Sequence, residues 1–576
     1  MENDTEKGVP SSRNSLSGET RNSNTELEFA PIRSVKGGQL SRPASHQSAA
    51  SHSITRVRSQ NGYGVDDDTS EKEEPTANSP GNEEDDSFLV GWDGGDSDPL
   101  CPRSFNVARK WLIVSIVSSA SFCVTSASSI YTSTYQQMEA EFGNSRIVSV
   151  LGLSTFVLGI ALGPMFFSPL SEFYGRRPIY LVAWSLYVIW IIPQAVAKNI
   201  ATMIVCRFLD GFAGSTFLAV SGGTVGDLFT REQLQVPMAV FSIAPFLGPC
   251  VGPLLGGFIN YNTQWRWTYY VLLIWGFVLL LAIVFLCPET YHPIILKKKA
   301  QMLRKKTNDE RWVAPTEKTK KSVLAAVGRS LLRPFQLLIF EFMVLSLCIY
   351  SAILLGILYL FFGAFPLVFG TIYQFNLWQI GLSFMGMGVG LLVGIGTDPV
   401  WHRVRSKLMR RLEAETGVQG ASEPEFRLPP AIAGALLVPA GIFMFGWSAY
   451  PWVHWIVPII GSAIFGTGVI LVFTGIFTFL VDAYPHSAAS ALAANAFVRC
   501  TFAAAFPLFG NQMYVALGNH WATSLLAFLT VAMLPFPYIF FKYGKRFRRR
   551  SRYAKSPSLH LQERSNRPDP AAESVR

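Results

Sequence analysis

The sequence is poor in charged residues. Only 15% of its 576 residues are charged, whereas a soluble protein carries about a quarter. Hydrophobic residues make up 49% of the chain, and the mean hydropathy is +0.28. This composition excludes an ordinary soluble domain and predicts a chain that lies largely in a lipid bilayer. The net charge of +10 is explained by cytoplasmic loops and lipid headgroups, and we expect no nucleic-acid partner.

Motifs for metal, disulfide and nucleotide chemistry are also lacking. The seven cysteines are odd in number and show no Cys-x-x-Cys or Cys/His spacing, so we interpret them as small apolar side chains in helices. The P-loop pattern is missing, which argues against ATP hydrolysis within this chain. We therefore expect no cofactor, no metal and no enzymatic activity. No apolar segment follows Met1, so we expect no signal peptide.

Apolar segments dominate the rest of the chain. Each approaches the roughly 20 residues that a helix needs to cross a bilayer. We place them at residues 111–131, 147–167, 178–197, 200–222, 237–259, 267–287, 336–361, 377–397, 431–449, 453–480, 488–511 and 521–541. The sequence therefore predicts an all-α integral membrane protein with twelve transmembrane helices in two six-helix bundles, and we number these spans in chain order.

Polar segments complete the predicted organisation. Residues 1–100 contain few aliphatic side chains and cannot bury enough surface to fold, so we expect a disordered tail. The N-terminal bundle would occupy residues 101–287 and the C-terminal bundle residues 335–542. A linker loop, residues 288–334, would join them, and a basic tail, residues 543–576, would end the chain.

Lysine and arginine are concentrated in one set of loops, which predicts that these loops and both termini are cytoplasmic. The basic residues of this set are Arg176, Arg177, Arg231, Lys297, Lys298, Lys299, Arg304, Lys305, Lys306, Arg403, Arg405, Lys407, Arg410, Arg411, Arg548, Arg549 and Arg550. The opposite set has only Arg146, Lys198 and Arg266.

The turn between the second and third spans, residues 168–178, reads SPLSEFYGRRP. Its charges are costly to desolvate, so the turn must lie at a membrane surface. Gly175 suits a tight reversal, and Glu172 could pair with an arginine or cap a helix. A plain basic loop is the simpler alternative. Asp227, at the cytoplasmic end of the fourth span, could meet Arg176 or Arg177, or it could be an acid at a helix end.

This turn resembles the cytoplasmic loop motif of the major facilitator superfamily, Gly-x-Leu-Ala-Asp-Arg-x-Gly-Arg-Arg. Gly175, Arg176 and Arg177 match it, Glu172 stands at its Asp, and Phe173 replaces its first Arg. The segment as a whole is similar to that of fungal drug:proton antiporters with twelve spans. The resemblance implies a charged cytoplasmic gate. We expect that gate to be made by Glu172, Gly175, Arg176, Arg177 and Asp227.

Small residues and prolines recur every four residues in the fifth span, which reads APFLGPCVGPLLGGF over residues 244–258. Such spacing puts each set on one stripe of a helix, where glycines allow close helix approach. The stripe resembles the antiporter motif of the same family, although generic small-residue packing is an alternative. A second stripe occurs in the eighth span, and we expect the two to meet. The packing residues are Gly248, Pro249, Gly252, Pro253, Gly256, Gly257, Gly386, Gly390 and Gly394.

Two charges interrupt the fourth span. Arg207 and Asp210 lie three residues apart on one helical face. Charges within an apolar run are functional by default and face a cavity or each other. Arg207 matches a family motif that is linked to proton transfer, and we expect Asp210 to carry the proton. A structural ion pair near the outer surface, or snorkelling of Arg207, is the alternative.

Hydroxyl and aromatic side chains in the first and seventh spans are the candidates for a substrate cavity at the bilayer midplane. We select Ser126, Tyr350, Tyr359 and Phe362, whose chemistry suits bulky, partly apolar ligands. A lipid-facing aromatic belt is the alternative. Gly363 stands where the family often has Glu, which weakens an assignment to cationic substrates.

The resemblance implies a proton-driven efflux transporter for drugs, antifungals or toxic metabolites in the plasma membrane. Its partners would be small apolar substrates, protons and the lipid bilayer, and we expect a monomer. A proton-coupled importer of a small nutrient or polyamine is the second interpretation. A receptor without transport is the third interpretation. It would need a sizeable signalling domain or a long cytoplasmic tail, and only the disordered N-terminal tail could serve as one.

Overall fold

The computed structural model describes residues 88, 90–93, 95–230, 233–317, 323–417, 422–485, 487–551 and 553–554. The predicted disorder of the N-terminal tail concerns residues that lie almost entirely outside this part of the chain, as do Arg231 and most of the basic C-terminal tail.

Helices account for the regular structure of the spans. The first six spans are Val107–Ile130, Arg146–Tyr174, Arg176–Ala195, Ile200–Ala219, Gln235–Asn262 and Arg266–Leu286. The seventh to tenth are Phe342–Leu367, Leu377–Gly396, Pro429–Trp447 and Ile456–Ala483. Eleven helices among the described residues are long and apolar enough to cross a membrane, and the last of them contains both the eleventh and the twelfth predicted span.

The final pair of spans shares the helical run Ala488–Met533. Gly518 interrupts this run with the non-helical angles φ 75° and ψ 162°. A positive φ is costly for residues other than glycine, so this position separates the eleventh span from the twelfth. The short helix Pro535–Arg550 continues beyond the run.

Several shorter helices join or extend the spans. The linker, predicted as a loop, contains the helix His292–Thr307 and leads into Val323–Phe340 before the seventh span. The helix Asp398–Thr416 follows the eighth span. Further short helices are Tyr135–Phe142 and Ser221–Leu228, with 3-10 turns at Gly95–Ser97, Pro102–Ser104, Tyr131–Thr134 and Pro424–Arg427 and a π-helical turn at Val368–Ile372.

Local caps explain where several spans begin. The Asn199 side chain accepts a hydrogen bond from the Thr202 amide at 2.8 Å at the start of the fourth span. Asn376 and Gln379 form a reciprocal capping box at the start of the eighth. These side chains satisfy amide groups that have no partner within the helix.

The helix contacts repeat after six spans. The first span packs against the fifth as the seventh packs against the eleventh, and the second packs against the fourth as the eighth packs against the tenth. The second span also packs against the eleventh, and the fifth against the eighth. Those last two contacts join the half of the chain before the linker to the half after it.

A strap, residues 90–93 and 95–101, precedes the first span and binds the linker. Its backbone pairs with Val313, since the Val90 amide donates to the Val313 carbonyl at 3.0 Å. The Lys299 Nζ atom donates to Asp98 Oδ2 at 2.7 Å and to the Gly91 carbonyl at 3.0 Å. The strap therefore holds the linker helix beside the beginning of the first span.

Candidate functional site

The turn between the second and third spans is built around Gly175 and Glu289. Gly175 has φ 98°, and a Cβ added there would lie 2.3 Å from Glu289 Oε2. The Glu289 carboxylate accepts hydrogen bonds from the amides of Arg176 at 2.8 Å and Arg177 at 3.2 Å. Glycine is therefore needed both for its backbone angle and for the space that the carboxylate occupies. Glu289 caps the third span from the segment that follows the sixth.

Arg176 is buried and has several partners. Its Nε lies 3.4 Å from Asp227 Oδ2, its Nη1 donates to Ser171 Oγ at 2.7 Å, and its guanidinium lies 4.8 Å from the centre of the Tyr291 ring. The ion pair joins the start of the third span to the helix that extends the fourth. His292 Nε2 lies 2.9 Å from the Asp227 carbonyl, so the linker contacts the same place.

The other two predicted gate residues lie at the same turn. Arg177 is exposed, and its Nη2 donates to the Val284 carbonyl at 3.0 Å. Glu172 is half-buried in the last turn of the second span and acts electrostatically on Arg176. The structure thus brings the five predicted residues together. Sequence reasoning missed Glu289, whose only signal was an acid directly after an apolar span.

Arg207 and Asp210 lie side by side but have different partners. The Arg207 guanidinium donates to the carbonyls of Ala127 at 2.9 Å and Ser128 at 3.2 Å, and it lies between the rings of Tyr131 and Phe156. Arg207 therefore supports the end of the first span and does not reach the membrane surface, because it is fully buried.

Asp210 faces the third span. Its Oδ2 accepts a hydrogen bond from Gln194 Nε2 at 3.1 Å, whereas its Oδ1 is buried and has no hydrogen-bond partner within the described part of the chain. Arg207 is directed at the backbone carbonyls of the first span instead. The structure therefore does not contain the alternative, which was a structural ion pair between Arg207 and Asp210.

The two glycine stripes do not meet, which corrects our expectation. A Cβ added at Gly252 would lie 1.9 Å from Ser129 Oγ, and one at Gly248 would lie 2.0 Å from Thr125 Oγ1, so the stripe of the fifth span packs against the first. The stripe of the eighth span packs against the tenth, since a Cβ at Gly390 would lie 1.9 Å from the Ala463 carbonyl oxygen.

The remaining glycines of each stripe pack in the same way as the stripe glycines described above. Gly256 packs on Ser133, while Gly386 and Gly394 pack on Ile459 and Ile470 of the tenth span. The physical reason is that the hydroxyl-bearing side chains of the first span bond back to carbonyls of their own helix and leave a surface that glycine fits.

The fifth and eighth spans do pack against each other, through the predicted packing residues Pro253 and Gly257 on one side and through Gly381, which was not predicted, on the other. A Cβ at Gly257 would lie 2.8 Å from the Leu377 carbonyl oxygen, and one at Gly381 would lie 2.5 Å from that of Pro253. The rings of Phe258 and Trp378 stack beside them, 5.6 Å apart. This contact lies at the face of the molecule opposite the Gly175 turn.

A cavity lies between the two halves. Its volume is about 80 Å³, well below the roughly 300–1,000 Å³ of a typical ligand pocket. The fifth span contributes Pro249 from the predicted stripe, and the seventh contributes Tyr359. Tyr359 also reaches across the halves, with its hydroxyl 3.0 Å from Ser128 Oγ.

Of the four predicted cavity residues, Tyr359 lines this cavity, and Ser126, Tyr350 and Phe362 do not. All three are buried in the helix packing. Phe362 packs against the rings of Tyr359 and Phe384, which form part of an aromatic cluster within the second half of the chain. The alternative of a lipid-facing belt is also wrong for these residues, because they are buried.

Arg499 of the eleventh span lines the cavity, and the sequence analysis did not select it. Its guanidinium lies 5.4 Å from the centre of the Phe473 ring and 5.0 Å from that of Phe477. Its Nε and Nη1 atoms are buried without a hydrogen-bond partner in the described part of the chain. A positive charge within a predicted apolar span was the signal that could have identified it.

A comparison with known protein families identifies the family of this chain. Residues 117–507 match the profile described as Major Facilitator Superfamily. The chain belongs to the major facilitator superfamily. Its members are transporters, so the class of the protein is transport across a membrane by a multi-pass, all-helical chain.

Relatives within the superfamily cover most of the chain. A protein from Aspergillus terreus named efflux pump atB is 53% identical over 467 residues, which are 81% of this chain and 90% of that protein. A protein from Saccharomyces cerevisiae named probable drug/proton antiporter YHK8 is 43% identical over 454 residues, 78% of this chain and 87% of that protein.

Solved structures show the same fold at low sequence identity. The xylose transporter XylE from E. coli, in a partially occluded inward-open conformation, aligns with a TM-score of 0.52 at 15% identity and covers 75% of this chain and 99% of that one. The major facilitator fold predicted from the sequence is therefore confirmed, including its arrangement of helices.

Proposed function

We propose that this chain is a proton-driven efflux transporter that exports drugs, antifungals or toxic secondary metabolites across the plasma membrane. The observation that carries the proposal is the similarity, over about four-fifths of the chain, to relatives named efflux pump and drug/proton antiporter. Export proceeds by alternating access, in which the two halves rock about a cavity between them. The transporter works as a monomer with both termini in the cytoplasm.

The cytoplasmic gate is the cluster at the Gly175 turn. The Arg176–Asp227 pair and the Glu289 cap tie the third span, the extension of the fourth and the beginning of the linker together. A buried ion pair is costly to separate unless both partners gain new ones. The cluster therefore holds the cytoplasmic ends of the first half as one rigid unit when the halves move.

Proton coupling is assigned to Asp210, with Arg207 as its positioning neighbour. A buried carboxylate that has one uncharged hydrogen-bond partner is costly when ionised, so binding and release of a proton change the local structure. Arg207 holds the carbonyls of Ala127 and Ser128, and the Ser128 hydroxyl bonds to Tyr359 across the halves. This chain of contacts links the Asp210 region to the cavity.

Efflux is tested in cells that express the chain and are loaded with a fluorescent dye. We expect the dye to leave faster than from control cells, and a protonophore that removes the proton gradient should abolish the difference. Faster accumulation of the dye, or efflux that a protonophore leaves unchanged, contradicts proton-driven export.

The role of Asp210 is tested with Asp210→Asn, which keeps the shape of the side chain and removes its titration. We expect gradient-driven efflux to fall by about tenfold or more, while exchange of labelled for unlabelled dye across the membrane persists. The matched control is Asp309→Asn, at an acid in the linker that is paired with Arg311. Full gradient-driven efflux by Asp210→Asn would assign the proton to another residue.

Import of a nutrient is the second candidate function. The fold alone does not decide the direction, because the aligned XylE is described as a proton:xylose symporter. The sign of net substrate movement in the dye experiment separates export from import.

A further inference from the structure

We propose that the substrates are organic anions, namely apolar compounds with one ionised acid group, and that Arg499 binds that group in the cavity. This proposal rests on the efflux function proposed above and names its substrate class.

The first observation is the charge of the cavity. Among the described residues that line it, Arg499 is the one charged side chain, and there is no carboxylate. The cavity draws on both halves of the chain, from the first, second, fourth and fifth spans on one side and the seventh and eleventh on the other. A charge in this position would meet any substrate that passes between the halves.

The second observation is that two donor atoms of the Arg499 guanidinium lack partners. Its Nε and Nη1 atoms are buried without hydrogen bonds in the described part of the chain, and the rings of Phe473 and Phe477 offer only partial compensation. Buried guanidinium groups are normally paired with acids or carbonyls, because desolvation of an unpaired charge is costly. A carboxylate or sulfonate on a substrate would supply the missing acceptors in the two-pronged geometry that arginine favours.

Comparison with the buried arginines sets Arg499 apart. Arg176 and Arg548 are paired with carboxylates, and Arg207 donates to two backbone carbonyls, although its Nε atom has no hydrogen-bond partner in the described part of the chain. Of these four arginines, Arg499 is the one that lines the cavity.

The rest of the lining suits the body of such a substrate. Hydroxyl groups are present at Thr125, Ser242 and Tyr359, and most other lining side chains are aliphatic, proline or phenylalanine. One cation among mostly apolar side chains fits a compound with one anionic group on an apolar skeleton. A cationic substrate would instead be repelled by Arg499.

The direction of transport agrees with this charge. Outward movement of an anion and inward movement of a proton both carry positive charge into the cell. The inside-negative membrane potential therefore adds to the proton gradient in driving the export of an anion. Export of a cation in exchange for one proton would gain nothing from the potential.

The test uses purified protein in proteoliposomes with an acidic lumen, so that inward accumulation reports the export direction. The probes are three apolar bodies (naphthyl, phenylpropyl and decyl), each as a sulfonate and as a trimethylammonium compound. These charges are permanent, so the probes do not cross lipid unaided. We expect the sulfonates to accumulate, and a lumen-positive potential imposed with potassium and valinomycin should increase their accumulation.

The variants Arg499→Gln and Arg499→Lys separate charge from packing. We expect Arg499→Gln to lower sulfonate accumulation by about tenfold or more, since a charged hydrogen-bond partner is lost. Arg499→Lys should recover part of it, because the charge remains. Arg403→Gln, on the helix Asp398–Thr416 outside the cavity, is the control and should leave accumulation within twofold. Thermal unfolding in detergent checks that each variant is folded.

Preferential accumulation of the trimethylammonium compounds would overturn the proposal. Equal losses of sulfonate accumulation in folded Arg499→Gln and Arg499→Lys would also overturn it, because they would assign Arg499 to packing. Efflux of the dye in cells without sulfonate accumulation would overturn the anion proposal alone. If the dye is not exported and none of the six probes accumulates, the proposed efflux function itself is wrong.

Discussion

The partners of Arg176, Arg207 and Arg499 differentiate the roles of these three arginines. The Arg176 side chain is bound to the Asp227 carboxylate and the Ser171 hydroxyl, which fixes a turn. Arg207 is bound to backbone carbonyls, which fixes the end of a helix. Arg499 is bound mainly to aromatic faces, which leaves it able to bind something else. The same side chain thus serves three purposes, and the hydrogen-bond inventory of each separates them.

At the residue scale, Glu289 should contribute measurably to stability. Its carboxylate accepts amide hydrogen bonds from Arg176, Arg177, Thr290 and Tyr291. We expect Glu289→Ala to lower the free energy of unfolding by about 1–2 kcal/mol, as for the loss of a helix cap. Glu289→Gln should cost less, because one acceptor oxygen remains. Thermal unfolding in detergent measures both.

The control for this prediction is Glu310→Ala, at an exposed acid of the linker. An unchanged unfolding temperature in Glu289→Ala would mean that water replaces the carboxylate without loss.

The buried pair of Glu425 and Arg548 offers a second prediction at this scale. Two hydrogen bonds join the side chains, at 2.9 and 2.8 Å, and both residues are only 3% exposed. We expect Arg548→Ala to cost about 3–5 kcal/mol, because it leaves an unpaired buried carboxylate. The double variant Glu425→Leu, Arg548→Met should lose much less. A double variant as unstable as the single one would contradict this account.

The residues of the candidate site could be predicted only in part. Glu172, Gly175, Arg176 and Arg177 lie within six positions of one another in a recognisable turn. Asp227 followed from topology. The role of Glu289 at this turn was not predictable, because the amides of Arg176 and Arg177 that it binds are more than a hundred positions away in the chain. To select Arg499, we would have needed to know which face of the eleventh span turns toward the cavity. An apolar run in the sequence does not show which face that is.

At the element scale, the spans were predictable because each is a long apolar run. The ends of the spans were less predictable. The second span extends to Tyr174, beyond the apolar core at residues 147–167, because polar residues continue the helix beyond the apolar run. The neighbours of the glycine stripes were not predictable either. Periodicity identifies a face of small residues, but the partner depends on which helix presents a matching surface.

The strap before the first span should stay bound to the linker helix over a wide pH range. Burial alone would raise the pKa of Asp98, but hydrogen bonds from Lys299 and from the amides of Leu100 and Asp93 outweigh burial and lower this pKa. For Lys299, burial works to lower the pKa, and hydrogen bonds to Asp93 and Asp98 raise it above its ordinary value.

The sign of each shift sets the pH window. Because the pKa of Asp98 is lowered, Asp98 stabilises the folded strap when the pH is above the ordinary carboxyl pKa of about 4. Because the pKa of Lys299 is raised, Lys299 stabilises the strap when the pH is below the ordinary lysine pKa of about 10. We therefore expect hydrogen-exchange protection of the Leu100 amide, corrected for intrinsic rates, to stay constant from about pH 5 to 9 and to fall in more acidic solution.

The variant Asp98→Asn should remove this protection throughout that range, whereas Asp96→Asn, at the more exposed Arg103 pair, should leave it unchanged. Protection that survives in Asp98→Asn would show that the backbone bonds to Val313 hold the strap alone.

At the scale of the whole molecule, two contacts join the halves, that of the second span with the eleventh and that of the fifth with the eighth. The contact of the fifth and eighth spans lies opposite the Gly175 turn and includes Gly381, whereas Gly390 packs within the second half. Substitution at the two glycines should therefore have different consequences. The division into six and six spans was predictable from the polar linker, but these contacts between the halves required the structure.

We expect Gly381→Ala to separate the outer ends of the fifth and eighth spans, because the added Cβ would lie 2.5 Å from the Pro253 carbonyl oxygen. Alkylation of Cys250, buried in the fifth span, by a membrane-impermeant maleimide from outside should accelerate severalfold, as read by mass spectrometry. Gly390→Ala should instead lower the unfolding free energy by about 1–3 kcal/mol through overpacking.

Gly396→Ala, where an added Cβ meets nothing within 4 Å, is the control for both variants. Unchanged Cys250 labelling in Gly381→Ala would mean that this contact does not close the outer side.

The repetition of helix contacts after six spans has a consequence for how the protein can be produced. Each half makes its own set of pairings, and the contacts between halves do not require a covalent connection. Two polypeptides made from a gene cut after Glu317 should therefore find each other in the membrane and copurify through a tag on either one. The first would keep the strap and its bonds to Val313 and Lys299, so the cut spares the described contacts of the linker helix.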